Sequence, residues 1–242
     1  VKNARKIINN NDTIIVDGDN GIAIINPNKH ILKEYEYKKN QWIIEKKKLK
    51  KIKNIPSKTL DKKEISLMAN IEDLSDVKSV LDCKASGIGL FRTEFLFMNR
   101  KELPGEQEQY ETYKSIAKSM KGRTVVIRTL DSGADKTTAA DKTQATNPAL
   151  GLRAIRLCLS QPHLFITQLR AILKASAFGK IRILIPMLSS LEELKQVKLL
   201  IKRAKESLVV ENIKFDNEIL VGGMIEIPAV AINAEAFAAE LD

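Results

Sequence analysis

Two stretches decide the fold of this chain: Gly87-Ile-Gly-Leu-Phe-Arg-Thr-Glu-Phe95 and Val125-Val-Ile-Arg-Thr-Leu-Asp131. Each is an apolar run of strand length that stops at an Arg-Thr pair, with an acid shortly after it. Unbroken apolar runs are typical of parallel strands buried on both faces. Ligand sites of α/β proteins collect at the carboxyl ends of such strands. We therefore expect Arg92 and Arg128 at strand ends, where two guanidinium groups favour a phosphate or a carboxylate.

The pattern around these stretches alternates between strand and helix. From Ile65 onwards, short apolar runs are followed by helical stripes, which gives five β-then-α units. Right-handed crossovers repeated in this way build an α/β fold, either an open doubly wound sheet or a barrel. Five units complete a small open sheet but only part of an eight-fold barrel, so both architectures stay open at this point.

The first sixty residues have a different character. Residues 13–26 contain two β-type runs on either side of Asp17-Gly-Asp-Asn-Gly21, which predicts a hairpin. Residues 31–53 carry a narrow apolar stripe on a very polar helix. We therefore divide the chain into residues 1–30, residues 31–60 as a linker helix, and residues 61–242. Because the first residue is not Met, we expect a piece of a longer chain.

Charge and composition exclude several classes of protein. The net charge of +10 is concentrated in residues 46–53, which hold six lysines but no aromatic residue for stacking on bases. A nucleic-acid surface is one interpretation, but a solvated helix face is favoured. No apolar run approaches the ~20 residues that span a bilayer. We expect no signal peptide, because residues 1–8 contain only a short apolar dipeptide where a signal peptide needs a longer stretch. We expect a cytoplasmic protein that binds neither membrane nor nucleic acid.

Cysteine and histidine offer little chemistry. Cys83 and Cys158 form no disulfide framework and no metal cluster, and we interpret both as small buried thiols. His30 and His163 have no partner at the spacing of a metal site or a catalytic triad.

Glu226 adds a carboxylate to the predicted strand ends. It falls near the end of the last apolar run, residues 219–227. A carboxylate beside two arginines either forms a structural ion pair or holds a divalent cation together with an anionic ligand. The pair Gly87 and Gly89 is not a dinucleotide fingerprint, because it lacks the third glycine and precedes a strand.

Several longer motifs resemble one family. Residues 87–98, Gly-Ile-Gly-Leu-Phe-Arg-Thr-Glu-Phe-Leu-Phe-Met, closely resemble a signature of the phosphoenolpyruvate-protein phosphotransferases, enzyme I of the bacterial phosphotransferase system. The resemblance continues in the expected order through residues 127–131, 147–156, 168–180, 186–193 and 224–229. It covers essentially the whole chain.

The resemblance implies a (β/α)₈ barrel that binds phosphoenolpyruvate and Mg²⁺, of which this chain would contain about five of eight units. Arg92 and Arg128 resemble the phosphate-binding arginines of the family. Arg153 resembles a further arginine of the active-site region, and Glu226 resembles one of the Mg²⁺ ligands. Phosphoryl transfer needs such groups to neutralise charge on the transferring oxygens.

The resemblance also implies partners. In the family, a histidine on a swivelling domain takes the phosphoryl group and passes it to a small phosphocarrier protein, and the whole protein is a homodimer. Residues 1–30 would be the end of that swivelling domain. Neither His30 nor His163 has the family's Thr-Ser-His context, and neither Cys83 nor Cys158 matches its catalytic cysteine. We therefore expect no catalytic residue in this segment and no complete reaction from it alone.

One departure concerns the loop after Asp131. The family usually has Gly-Gly-Asp-Lys followed by a Leu-Pro-Tyr stretch, whereas residues 133–136 read Gly-Ala-Asp-Lys followed by Thr-Thr-Ala-Ala. An alternative is therefore a regulatory paralogue, of the nitrogen type or fused to other transport components, which acts as a phosphorelay and not in sugar uptake.

Overall fold

A computed structural model describes residues 7–98, 100, 102–132 and 151–242, apart from the side chain of Lys50. Two compact units are formed, Val1–Pro56 and Ser57–Asp242. The divergent loop at residues 133–136 and the motif residues 147–150 lie outside the described residues.

The described part of the first unit contains a hairpin. Strands β1 (Ile14–Asp17) and β2 (Ile22–Ile25) pair in antiparallel register, with Ile14 opposite Ile25. The turn between them ends at Gly21, whose φ of +65° lies in the left-handed region that glycine adopts without steric cost. The hairpin prediction is therefore confirmed.

A long helix, α1 (Lys29–Ile52), follows the hairpin. It begins where the Asn28 side chain accepts a hydrogen bond from the Ile31 N–H at 2.9 Å, a typical N-cap. Trp42 and Leu49 of its apolar stripe are largely exposed, as are the lysines 46–48. In the part of the chain that the structure describes, no helix combines the length and the apolar character that crossing a membrane requires.

The second unit contains one parallel sheet of five strands, whose order in space follows their order in the chain. The strands are β3 (Met68–Ile71), β4 (Gly87–Arg92), β5 (Val125–Arg128), β6 (Ile181–Ile185) and β7 (Val221–Gly223). A doubly wound sheet reverses its strand order at a switch point. Since this order never reverses, the doubly wound alternative is wrong for these strands. The sheet is not closed, because β3 and β7 are not partners among the described residues.

Helices connect consecutive strands, and two short helices follow the last strand. They are α2 (Asp76–Asp82), α3 (Glu106–Ser119), α4 (Ala154–Ser160), α5 (Pro162–Ser176), α6 (Leu191–Val210), α7 (Pro228–Ile232) and α8 (Ala234–Ala238). Helix α5 packs against both α3 and α6. A capping box of Ser190 and Glu193 starts α6, as the sequence predicts. The core between sheet and helices is mainly aliphatic and fully buries Phe91 and Tyr113.

The glycine pair of the first motif serves the sheet. A Cβ atom on Gly87 would lie 2.5 Å from the Thr124 carbonyl oxygen, and one on Gly89 would lie 2.9 Å from the Met68 Cβ. Any side chain at these positions would push neighbouring segments apart. The pair therefore permits close packing of β4 between its neighbours.

The expectation of two buried thiols is wrong for Cys83. Cys158 is buried within α4, but Cys83 is exposed. The reason is that α2 ends at Asp82, so Cys83 occupies the C-cap position, beyond the buried residues Val77 and Val80.

We expect a thiol reagent to modify Cys83 in the native chain and to leave Cys158 unmodified. Burial raises the pKa of Cys158 to about 12, so little of this thiol is in the reactive thiolate form in mildly alkaline buffer. The surrounding core also shields the thiol from the reagent. Ellman's reagent should report one thiol in the native chain and both after denaturation. The Cys83→Ser variant should report none before denaturation, and rapid native labelling of that variant would contradict the burial of Cys158.

Candidate anion-binding site

The two arginines of the opening motifs lie side by side at the carboxyl edge of the sheet. Arg92 ends β4, Arg128 ends β5, and the two residues are register partners in the parallel ladder. This placement follows from the motifs themselves, since in each the apolar run stops at the arginine.

Arg128 is held by carboxylates from two different segments. Its side chain is 10% exposed and forms ion pairs with Glu94, in the 3₁₀ turn after β4, and with Asp131 Oδ2 at 2.9 Å. The Nη1 atom lies 4.0 Å from the Met224 sulfur, just beyond β7. The guanidinium therefore spans the sheet edge from β4 to β7.

Arg153 joins the same cluster. It immediately precedes α4 and pairs with Asp131 Oδ1 at 3.2 Å, so one almost buried carboxylate bridges Arg128 and Arg153. Arg92 stands apart from this bridge. Its Nη1 atom is 2.9 Å from Glu72 Oε1, and its side chain is 42% exposed. Arg92 is thus the more accessible guanidinium of the strand-end pair.

Unsatisfied polar atoms concentrate at this edge. Buried side-chain atoms that find no hydrogen-bond partner within the described ranges are Glu94 Oε2, Arg128 Nε, Thr129 Oγ1 and Arg153 Nε. Buried polar groups are nearly always paired, so exceptions call for a functional explanation. Here they include two guanidinium N–H groups and a hydroxyl, which are donors that an anion can use.

Among the described residues, each arginine at this edge has a carboxylate counterion. The three arginines are matched by Glu72, Glu94 and Asp131, each of which forms an ion pair with at least one of them. Each guanidinium is thereby held in place while no anion is bound. An arriving anion can use the unpaired Nε donors or compete with these carboxylates for the guanidinium groups.

Glu226 lies further from the strand end than the sequence suggests. Strand β7 ends at Gly223, and Met224 N–H makes the next bond to the Ile185 carbonyl. Glu226 Oε1 then accepts a hydrogen bond at 2.7 Å from the N–H of Met187, a residue with φ of 58° in the left-handed region. Within the described residues Glu226 forms no ion pair, so the structural ion-pair alternative finds no support there.

Sequence reasoning missed the groups that hold the arginines. Glu94 and Asp131 are visible as acids two and three residues after an arginine, but their spacing gave no role. Glu72 carried no signal, because it meets the site only through tertiary structure.

The fold and the site define a class of protein: a parallel α/β domain with arginines gathered at its strand ends. A family profile described as "PEP-utilising enzyme, PEP-binding domain" matches residues 46–242, and the chain belongs to this family.

Curated relatives agree with this assignment. The chain is similar to the phosphoenolpyruvate-protein phosphotransferase of Cupriavidus necator, with 47% identity over 246 residues, 100% of this chain and 42% of the relative. The proteins of that name from Bacillus subtilis and Mycoplasma capricolum are 43% and 44% identical, and each match again covers 100% of this chain and 42% of the relative. The resemblance found in the motifs is confirmed. The chain spans about two fifths of the length of these relatives.

Proposed function

We propose that this chain supplies much of the phosphoenolpyruvate site of a phosphotransferase. In that reaction the phosphoryl group passes from phosphoenolpyruvate to a histidine of the enzyme, other than His30 and His163, and pyruvate is released. The histidine then passes the group to a small phosphocarrier protein. The observation that carries the proposal is the cluster of arginines and unpaired buried donors at the ends of β4 and β5.

Arg92 and Arg128 are proposed to bind the phosphate, with Arg153 as a further substrate contact. Guanidinium groups match the oxygens of a phosphate through paired N–H donors. The unpaired Nε atoms of Arg128 and Arg153 supply such donors without the loss of an existing bond. During phosphoryl transfer these fixed positive charges would stabilise the negative charge spread over the transferring oxygens.

The carboxylates explain how the site stays ordered without substrate. Glu94 and Asp131 hold Arg128 in one orientation, and both are almost buried. A bound anion takes over part of the role of these counterions. Selectivity for a multiply charged ligand follows, because a weakly charged one gains too little from the arginines to compete with the carboxylates.

Glu226 fits a role as a Mg²⁺ ligand. Mg²⁺ usually binds through one or two carboxylates together with substrate phosphates and water. One oxygen of Glu226 is occupied by the Met187 N–H, which leaves the other for a cation. No group of three His, Cys, Asp or Glu side chains suited to a metal occurs among the described residues. Bound Mg²⁺ would neutralise charge on the phosphate oxygens.

A closed (β/α)₈ barrel is the proposed architecture of the whole domain. Five parallel strands in sequential order have the topology of consecutive barrel units. Homodimer formation by the whole protein is part of the same proposal.

The experiment that tests the function is calorimetric titration of phosphoenolpyruvate with Mg²⁺ into the chain and into the double variant Arg92→Ala, Arg128→Ala. We expect binding to the wild type that disappears in the variant. Pyruvate, which lacks the phosphate, should bind far more weakly. Absence of binding to a folded wild-type sample, or equal binding to the double variant, would refute a phosphate site at these strand ends.

A further inference from the structure

A buried hydrogen-bond network lies behind the arginine-bearing strand ends. Its centre is Gln168 on α5, which is 1% exposed. The Gln168 Oε1 atom accepts a hydrogen bond from the Leu130 N–H at 2.9 Å, and Nε2 donates to Thr93 Oγ1 at 3.1 Å. Thr93 directly follows Arg92, and Leu130 lies two residues beyond Arg128. One side chain from the helical layer therefore holds both segments.

The donors and acceptors in this network allow only one arrangement. The hydroxyl of Thr93 donates its hydrogen to the Arg128 carbonyl at 2.8 Å, so it can only accept from Gln168. The Leu130 N–H can only donate, so the amide oxygen of Gln168 must face it. The orientation of the amide is thereby fixed.

Further hydrogen bonds hold Gln168 on the side that faces helix α3. Its second amide hydrogen points to the Tyr113 hydroxyl at 3.3 Å, which in turn donates to Gln109 Oε1 at 3.0 Å. Burial raises the pKa of Tyr113, which keeps the hydroxyl protonated as a donor. The network is fully satisfied, and satisfied buried networks are rigid. By contrast, the arginine cluster in front of this network contains unpaired buried atoms, among them Arg128 Nε and Arg153 Nε.

The network reaches the guanidinium of Arg128 through the chain. Gln168 fixes Thr93 and Leu130, and the residues that follow these two are Glu94 and Asp131. Those carboxylates are the ion-pair partners that orient Arg128. The distance between the two carboxylates therefore depends on the amide of Gln168.

We propose that Gln168 is a positioning residue of the anion site, which sets the spacing of the Arg92 and Arg128 segments without touching the ligand. The inference rests on the proposed function, in which these arginines bind the phosphate. Recognition by rigid guanidinium groups depends on their placement. In catalysis a displacement of about 1 Å can lower a rate on the order of a hundredfold, and we expect the affinity for the anion to be similarly sensitive. Within the described network, the Gln168 amide satisfies three neighbouring groups: the Leu130 N–H, the Thr93 hydroxyl and the Tyr113 hydroxyl.

Other side chains at position 168 would break the arrangement. Methionine has a similar shape but leaves the Leu130 N–H buried without an acceptor. Glutamate would place an oxygen against Thr93 Oγ1, whose hydrogen is already donated to Arg128. Either change lets the two segments move relative to each other.

The test compares Gln168→Met and Thr93→Val with a matched control on the same helix. Ser176 is also buried, and its Oγ accepts a hydrogen bond from the Asp216 N–H at 2.8 Å, in the segment that leads into β7. Ser176→Ala therefore removes the same kind of side-chain support for a loop N–H, away from the arginines. Two quantities are measured: the dissociation constant of phosphoenolpyruvate with Mg²⁺, and the NMR resonance of the Arg128 Nε–H group without ligand.

We expect Gln168→Met and Thr93→Val to weaken binding by about tenfold to a hundredfold and to shift the Arg128 resonance. Ser176→Ala should lower the free energy of unfolding by a similar amount. It should leave both the affinity and the Arg128 resonance unchanged. If Gln168→Met lowers stability but leaves both quantities unchanged, the residue is only structural and the inference is overturned. If the wild type binds no phosphoenolpyruvate, the proposed function fails separately, and the Arg128 resonance alone decides whether Gln168 positions that side chain.

Discussion

Replacing Arg128 by methionine is expected to weaken the binding of phosphoenolpyruvate at least about a hundredfold, because the variant loses a nearly buried cation at the centre of the site. The same change should lower the free energy of unfolding by about 3 kcal/mol. Glu94 and Asp131 would then face each other without the guanidinium that separates them. Calorimetric titration and urea denaturation measure the two effects.

Two further variants separate binding from stability. Adding Glu94→Gln and Asp131→Asn to Arg128→Met should restore much of the stability, because the uncompensated charges are gone, but none of the binding. Arg170→Met is the matched control, since Arg170 is 13% exposed and pairs with Glu106 and Glu211 on the helical layer. It should lose stability and keep the affinity. Wild-type affinity in Arg128→Met would contradict the proposed site.

Replacing Phe91 by alanine is expected to cost about 4 kcal/mol of unfolding free energy. Phe91 is fully buried on β4 and meets the ring of Tyr113 edge to face, with ring centroids 6.0 Å apart. Its removal leaves a cavity between sheet and helix next to Arg92. Since domains of this kind are stable by only about 5–15 kcal/mol, the loss is a large share of the total.

Phe95 provides the control within the same motif. It is 41% exposed in the 3₁₀ turn, so Phe95→Ala should cost less than about 1 kcal/mol. Urea denaturation of both variants measures the difference. Equal losses would show that the burial assigned to β4 is wrong.

Local pattern was sufficient for the strand ends. An apolar run and the Arg-Thr pair that stops it are adjacent in the chain, so Arg92 and Arg128 could be placed at the ends of strands before the sheet was known. The hairpin at Gly21 and the capping box at Ser190 are local in the same sense, because their hydrogen bonds join residues close in sequence.

The ends of two elements, strand β7 and helix α2, were predicted less accurately from the sequence. Glu226 was expected at the end of a strand, but pairing stops at Gly223, before the apolar run itself ends. Cys83 was expected in the core, but its helix ends one residue earlier. In both cases the pattern continued past the point where tertiary contacts ended the element.

The sequence by itself determined an α/β domain with arginines at two strand ends, and its motifs identified the family. Only the tertiary structure decided which groups meet there. Glu72 is 20 residues from Arg92 in the chain, and Gln168 is 75 residues from Thr93. Such contacts arise when sequential β-α units place distant segments at one sheet edge. No local periodicity encodes them.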